Sequence, residues 1–282
     1  MSLTTEIVLM WSTVLIYAAS TVLYAIGTVF VREKLINAGL VLASTGLITQ
    51  ALAFAVRWTR VGHAPFLGFY EVVSAYAFAT VATLVVVSWR VPRLRALGVV
   101  VMPLALLALG ASMLADKTDE LTSGTLASWW LVVHVLFAKL AYSSFVLAFA
   151  LAVVYLIRSG KGQGVAGGIL EKLPSQSVVD DLAFRTAGLG LVFLSVMIVA
   201  GAIWANQAWG RYWGWDPIET WSLVTWSVYA IYLHLRLTLG WTERRSAWVL
   251  VAALPIVAFS FVVVPIVYNS IHGAYLQGML NR

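Results

Sequence analysis

Histidine is the side chain here best suited to hold a metal ion, and the sequence contains four: His63, His134, His234 and His272. Cysteine is absent, which excludes disulfides, thiolate-bound iron–sulfur clusters and a CxxC redox pair for this chain. A second concentration of chemistry lies at 209–222, WGRYWGWDPIETWS, and six of the 13 tryptophans fall between Trp204 and Trp226. An interfacial aromatic belt accounts for a Trp at a helix end, as at Trp129 and Trp130, but not for this density in one loop. Rings gathered this closely make an apolar shelf for a large planar ligand. Asn206, Arg211, Asp216 and Glu219 stand among them, to orient such a ligand or to cap a helix. Asp216-Pro217 also reads as an N-cap followed by Pro at the first helical position, with Glu219 third.

These residues need elements to position them. The 282 residues are 61% hydrophobic and only 11% charged, with a mean hydropathy of +0.91, too few charges to cover a water-facing surface. Apolar runs long enough to cross a bilayer recur, and the ten-residue alternation of a transmembrane β-barrel is missing. The expected fold is all-α, a polytopic membrane helical bundle of about eight spans: 7–30, 35–56, 69–89, 97–114, 129–157, 184–207, 220–239 and 246–267. The tryptophan-rich loop is expected over 204–221, and residues 158–183, rich in Gly and Ser, read as a flexible linker. Residues 1–282 are read as a single membrane domain, and MSLTTE, without Lys or Arg, is not a convincing signal-peptide start.

Charge fixes the expected orientation. Loops after the odd-numbered spans hold Arg32 and Lys34; Arg90, Arg93 and Arg95; Arg158, Lys161, Lys172 and Arg185; Arg236, Arg244 and Arg245. The opposite side holds Arg57, Arg60, Lys117, Arg211 and Arg282, and Lys139 lies inside the fifth span. By the positive-inside rule both termini and the tryptophan loop face outward, and 158–183 is cytoplasmic. The net charge of +6 is then a property of cytoplasmic loops. No basic run of five or more points to nucleic acid.

Topology gives the histidines depths. His234 lies 14 residues into the seventh span, roughly 21 Å down at 1.5 Å per residue. His134 is five residues into the fifth span, His272 follows the eighth, and His63 precedes the third, all on the outer side. An ionisable group at membrane depth is a functional candidate, although a lone His also serves as a hydrogen-bond partner for a neighbouring helix. His134 and His272, at matching depth on separate spans, have the arrangement of two axial imidazoles on a haem iron. Zinc, with His63 as a third ligand, is the competing metal.

The run WANQAWGRYWGWDPIETWSLVTWSVYAIYLHLR resembles the tryptophan-rich WWD signature of the haem-handling proteins of cytochrome c biogenesis, above all the CcsA/ResC proteins of system II. GHAPFLGFYE at 62–71 is similar to that family's G-H-x-P-x-x-N-x-Y-E segment, and His134, His234 and His272 match its histidines, so the likeness covers roughly 60–275. Departures are SIHGAY at the last His, Ile218 where Lys is common, Gly68 where Asn is common, and Lys139.

The resemblance implies a haem-handling subunit of a cytochrome c synthase, acting on haem b. His234 would be the ligand of a transmembrane haem site, its second ligand coming from a CcsB/ResB-type membrane subunit. His134 and His272 would be the axial ligands of the outer site. Trp204, Trp209, Trp213, Trp215, Asp216 and Trp221 would form the shelf, with His63, Glu71, Arg211 and Glu219 as accessory candidates. The other partners would be an apocytochrome c with a CxxCH motif, a thiol-reducing protein and membrane lipid. No residue of the chain need act as a nucleophile, since catalysis would be positioning. The expected location is the cell inner membrane, or the thylakoid membrane in a plastid or cyanobacterium. A CcmC/CcmF-like haem delivery protein of system I, a di-haem b electron-transfer subunit and a secondary transporter are the alternatives. His234 has no second His at its own depth, which weighs against the electron carrier, and no inverted repeat supports a transporter.

Overall fold

A backbone surrounded by lipid must close its hydrogen bonds within its own helix, and the long apolar runs do so. The computed structural model describes residues 2–64, 68–114, 128–160, 173–268 and 270. Among these the regular elements are helices: α1 (Leu3–Val29), α2 (Glu33–Val61), α3 (Gly68–Arg90), a tight 3-10 stretch (Pro92–Leu97), α4 (Gly98–Met113), α5 (Trp129–Gly160), α6 (Gln176–Trp209), α7 (Pro217–Leu237), α8 (Glu243–Ala258), a π-helical stretch (Phe259–Val263) and α9 (Val264–Val267). Each of the eight expected spans overlaps one main helix, and the chain is a polytopic membrane bundle. Six segments (α1, α2, α3, Pro92–Met113, α5 and α6) are long and apolar enough to cross a membrane unaided. The other two are less apolar for visible reasons: α7 carries Glu219, His234 and Arg236, and α8 opens on Glu243, Arg244 and Arg245 before its regular winding ends at Ala258.

The bundle is apolar inside and out. Leu40, Leu84, Leu97, Met102, Leu109 and Leu151 fill the centre together with tyrosines, small residues and a few polar groups, and Leu15, Val22, Ile48, Leu107, Val192 and Val199 are exposed along the helix flanks, as lipid-facing residues should be. Tyr17 and Tyr24 of α1 lie fully buried over Gly46 and Gly39 of α2, where a Cβ would collide with the ring. Phe145 of α5 fills the space over Gly190 of α6 and stacks on Tyr229 of α7 at 3.6 Å.

Two expected boundaries shift. The linker read over 158–183 is shorter, since α5 runs to Gly160 and α6 begins at Gln176. Asp180 on the first turns of α6 is held by Arg236 of α7 at 2.7 and 2.6 Å, which keeps that stretch packed. The loop read over 204–221 also contracts. Trp204 belongs to α6 and Trp221 to α7, leaving residues 210–216 as the connection.

Candidate functional site

His134 sits on the second turn of α5 and faces α6, with its Nδ1 2.8 Å from the Met197 carbonyl oxygen. A carbonyl only accepts, so Nδ1 carries the proton and the lone pair is on Nε2. This is the tautomer a metal-binding imidazole needs, fixed by the outer hydrogen bond typical of such ligands. Room for the ring comes from Gly201, where a Cβ would lie 2.5 Å from Nδ1. Trp204, one turn nearer the end of α6, stacks on the imidazole at 26° with centroids 6.4 Å apart. Trp209 meets Trp204 edge-on at 4.9 Å.

The helix then ends on Gly210, whose left-handed φ of 76° lets its N–H bond the Asn206 carbonyl. In the short connection the Arg211 guanidinium lies against Gly214, 2.6 Å from where a Cβ would be. Trp215 is the strained residue of the loop, with φ 57°, a region bulky side chains avoid. The Glu219 carboxylate holds it there, since Oε2 accepts from the N–H groups on either side, Gly214 at 2.8 Å and Asp216 at 3.2 Å. The result turns the Trp215 indole outward, 69% exposed, with its edge against Trp213. Asp216 is buried and caps α7, accepting from the Ile218 N–H at 3.0 Å and from the Ser270 hydroxyl at 2.7 Å. The capping reading of Asp216, Pro217 and Glu219 therefore holds, with the reciprocal box complete. Trp221 points elsewhere, packing on Phe259 at 4.5 Å.

The structure thus joins His134 to Trp204 and Trp209, and sets Trp213, Trp215, Arg211 and Glu219 in the adjoining loop. His272 lies outside the described residues. Ser270, bonded to Asp216, precedes it in sequence by two. His234 occupies the last turn of α7, exposed on the flank of the bundle, with Nδ1 3.3 Å from the Thr238 hydroxyl.

His63 and Glu71 belong to a different cluster. Glu71 is buried and paired with Arg57, while Glu6, fully buried, takes Arg57 at 3.1 Å and Arg60 at 3.0 Å. Arg57 also lies over the Tyr70 ring at 5.0 Å. His63 approaches Glu71 to 3.9 Å and bonds the Ala64 carbonyl through Nδ1 at 3.0 Å. Its Nε2 is buried without a hydrogen-bond partner among the described residues. No three metal-ligating side chains converge among the described residues. The sequence reading missed Glu6, and placed Arg57 and Arg60 in an outer loop. The available signal was their spacing of one helical turn at the end of α2.

A model of the cytochrome c assembly protein family matches residues 66–272. The chain belongs to this family. It is 31% identical over 287 residues to a CcsA cytochrome c biogenesis protein of Guillardia theta, covering 93% of each chain. A CcsA protein of Chlamydomonas reinhardtii is 30% identical over 256 residues, covering 89% of this chain and 72% of the relative. These relatives make the chain a CcsA-type member. Among solved structures, the cytochrome c haem lyase CcmF aligns with a TM-score of 0.66 at 15% identity. The alignment covers 98% of this chain and 48% of that one, so the chain spans about half the length of CcmF and the likeness is one of fold.

Proposed function

We propose that this chain is the haem-handling subunit of a system II cytochrome c synthase, carrying haem b across the membrane and presenting it for attachment to apocytochrome c. The observation that carries the reading is His134. Its Nδ1 is tied to the Met197 carbonyl and its ring stacks on Trp204, which fixes the imidazole's orientation beside a loop of rings. His272 is the proposed second ligand of that outer site, and Trp215, Trp213 and Trp209 offer rings against which a porphyrin lies. His234, on an exposed flank, suits a ligand that shares its iron with a histidine of another membrane subunit, of the CcsB/ResB type.

Haem is substrate here, and it supplies the vinyl groups. Each CxxCH thiol of the apocytochrome adds across one vinyl double bond, sulfur to one carbon and hydrogen to the other, so the step is redox-neutral and a thiol-reducing partner need only keep the cysteines reduced. The residues of this chain bind, orient and occupy the axial positions. His63, Glu71 and the paired arginines tie α1, α2 and α3 together at one end of the bundle. Both termini and the tryptophan loop face the outer side, in the inner membrane or in the thylakoid membrane of a photosynthetic host.

The test is a visible spectrum of the chain purified with its partner subunit, alongside His134→Gly, His272→Gly and His234→Gly with imidazole added back. A low-spin spectrum lost in the outer-pair variants and restored by imidazole is expected. A wild-type complex free of haem after haem-replete growth would sink the reading.

A further inference from the structure

Between Arg185 and Arg236 the sequence holds a single basic residue, Arg211. It lies exposed in the connection between α6 and α7, two residues before Trp213 and four before Trp215. Its side chain folds back over the loop. The guanidinium rests on Gly214, the residue that separates those two indoles, with Cζ 2.6 Å and Nε and Nη2 2.7 Å from where a Cβ would stand. These are the three atoms nearest that point, so a side chain at 214 would dislodge the guanidinium. Gly214 is not among the glycines with a left-handed φ. Its missing side chain therefore provides space, not backbone freedom.

The carboxylates of the loop are turned to its own backbone. Glu219 accepts from the Gly214 and Asp216 N–H groups, and Asp216 caps α7. The loop thus offers outward a seated, planar cation with Trp213 and Trp215 on either side of its seat in sequence. An arginine reaching for lipid headgroups extends its stem toward them, whereas this one is held against the loop itself. Haem carries two carboxylates on its propionate edge, and its vinyl groups lie on the opposite edge. A guanidinium fork matches a carboxylate with two parallel hydrogen bonds. Stacked indoles do not tell one edge of a porphyrin from another, because each sees the same π-face. An arginine at one side of the shelf does.

We propose that Arg211, seated on Gly214, binds a haem propionate and so sets which edge of the porphyrin faces the apocytochrome. The assignment rests on the haem reading above and names the group that orients the substrate at that site. With the propionate edge held at the loop, the vinyl edge is the one presented to the incoming thiols.

The complex with the partner subunit is prepared in a His234→Gly background, so that the transmembrane site does not contribute. It is titrated with haem or with haem dimethyl ester, which keeps the iron, ring and vinyl groups but has no free carboxylate, and the low-spin absorbance band reports binding. With Arg211 in place haem should be favoured over the ester about tenfold. Arg211→Gln should abolish the preference, and Arg211→Lys, which has the charge without the fork, should keep part of it. Gly214→Ala should also lose it, since only the mobile end of Arg211 has to yield. Adding Gly214→Ala to Arg211→Gln should change nothing further. Equal affinity for the two porphyrins with Arg211 in place, an undiminished preference in R211Q or G214A, or a G214A effect of the same size in the R211Q background overturns the proposal. Failure to bind either porphyrin sinks the haem reading itself, and the proposal with it.

Discussion

His134 of α5 donates its Nδ1 proton to the carbonyl of Met197 on α6 at 2.8 Å, and Gly201 makes that approach achievable. The acceptor is backbone and cannot be substituted, so the glycine is the handle. Gly201→Ala puts a methyl group 2.5 Å from Nδ1, and the ring must move or the helices part. Overpacking of this kind costs about 1–3 kcal/mol. A lowered melting temperature and a weakened low-spin haem spectrum are expected together, with added imidazole restoring the spectrum but not the stability.

Glu219 should matter more than an ordinary cap. Glu219→Ala removes the acceptor shared by the Gly214 and Asp216 N–H groups, so Trp215 is released from its left-handed conformation. Loss of a cap interaction costs about 1 kcal/mol, a small change in melting temperature. The larger expected effect is on tryptophan fluorescence, where a red shift and easier quenching would report an unpinned indole. An unchanged quenching profile would show that the turn holds itself.

Thr238 is placed to orient His234 through the 3.3 Å contact with Nδ1. Removal of an outer partner from a metal-bound His typically costs 10–100-fold in affinity. Thr238→Val should therefore deplete the transmembrane haem of the complex while leaving the His134 spectrum in place. Equal loss at both sites would argue against a role confined to His234.

The buried charges give a stability prediction independent of haem. Glu6→Gln removes the fully buried carboxylate that takes both Arg57 and Arg60, leaving Arg57 with Glu71, at a cost of about 3–5 kcal/mol. A quadruple substitution of Glu6, Arg57, Arg60 and Glu71 by neutral residues of similar size should recover much of that loss in a detergent thermal-shift series. Failure of the quadruple variant to recover would mean that the cluster has a further ligand.

Hydropathy made the eight helices legible, because a helix that faces lipid must be apolar over most of its length, and even α7 and α8 keep an apolar middle between charged ends. The resemblance in the tryptophan run and in GHAPFLGFYE supplied the family. The ends of the tryptophan loop were misread because Trp at a helix terminus and Trp in a loop look alike in one dimension; Trp204 and Trp221 are helical. The pairing of Glu6 with Arg57 and Arg60 could not be seen either. The partners are 51 and 54 residues apart, and only the antiparallel packing of α1 on α2 brings them together. Lys139 was conspicuous in the sequence, but its approach to the Tyr76 ring of α3 needed three dimensions.

The same pairing bears on how the chain enters a bilayer during synthesis. Glu6 on α1 pairs with both arginines near the end of α2 within the first 61 residues, and Glu71 of α3 supplies the second negative charge. The tyrosines of α1 fit glycines of α2 in that same first stretch. An inserting machine is therefore offered a hairpin whose one acidic group is already matched, and whose remaining positive charge is met by the next helix to arrive. The later helices can then assemble against a wall already standing.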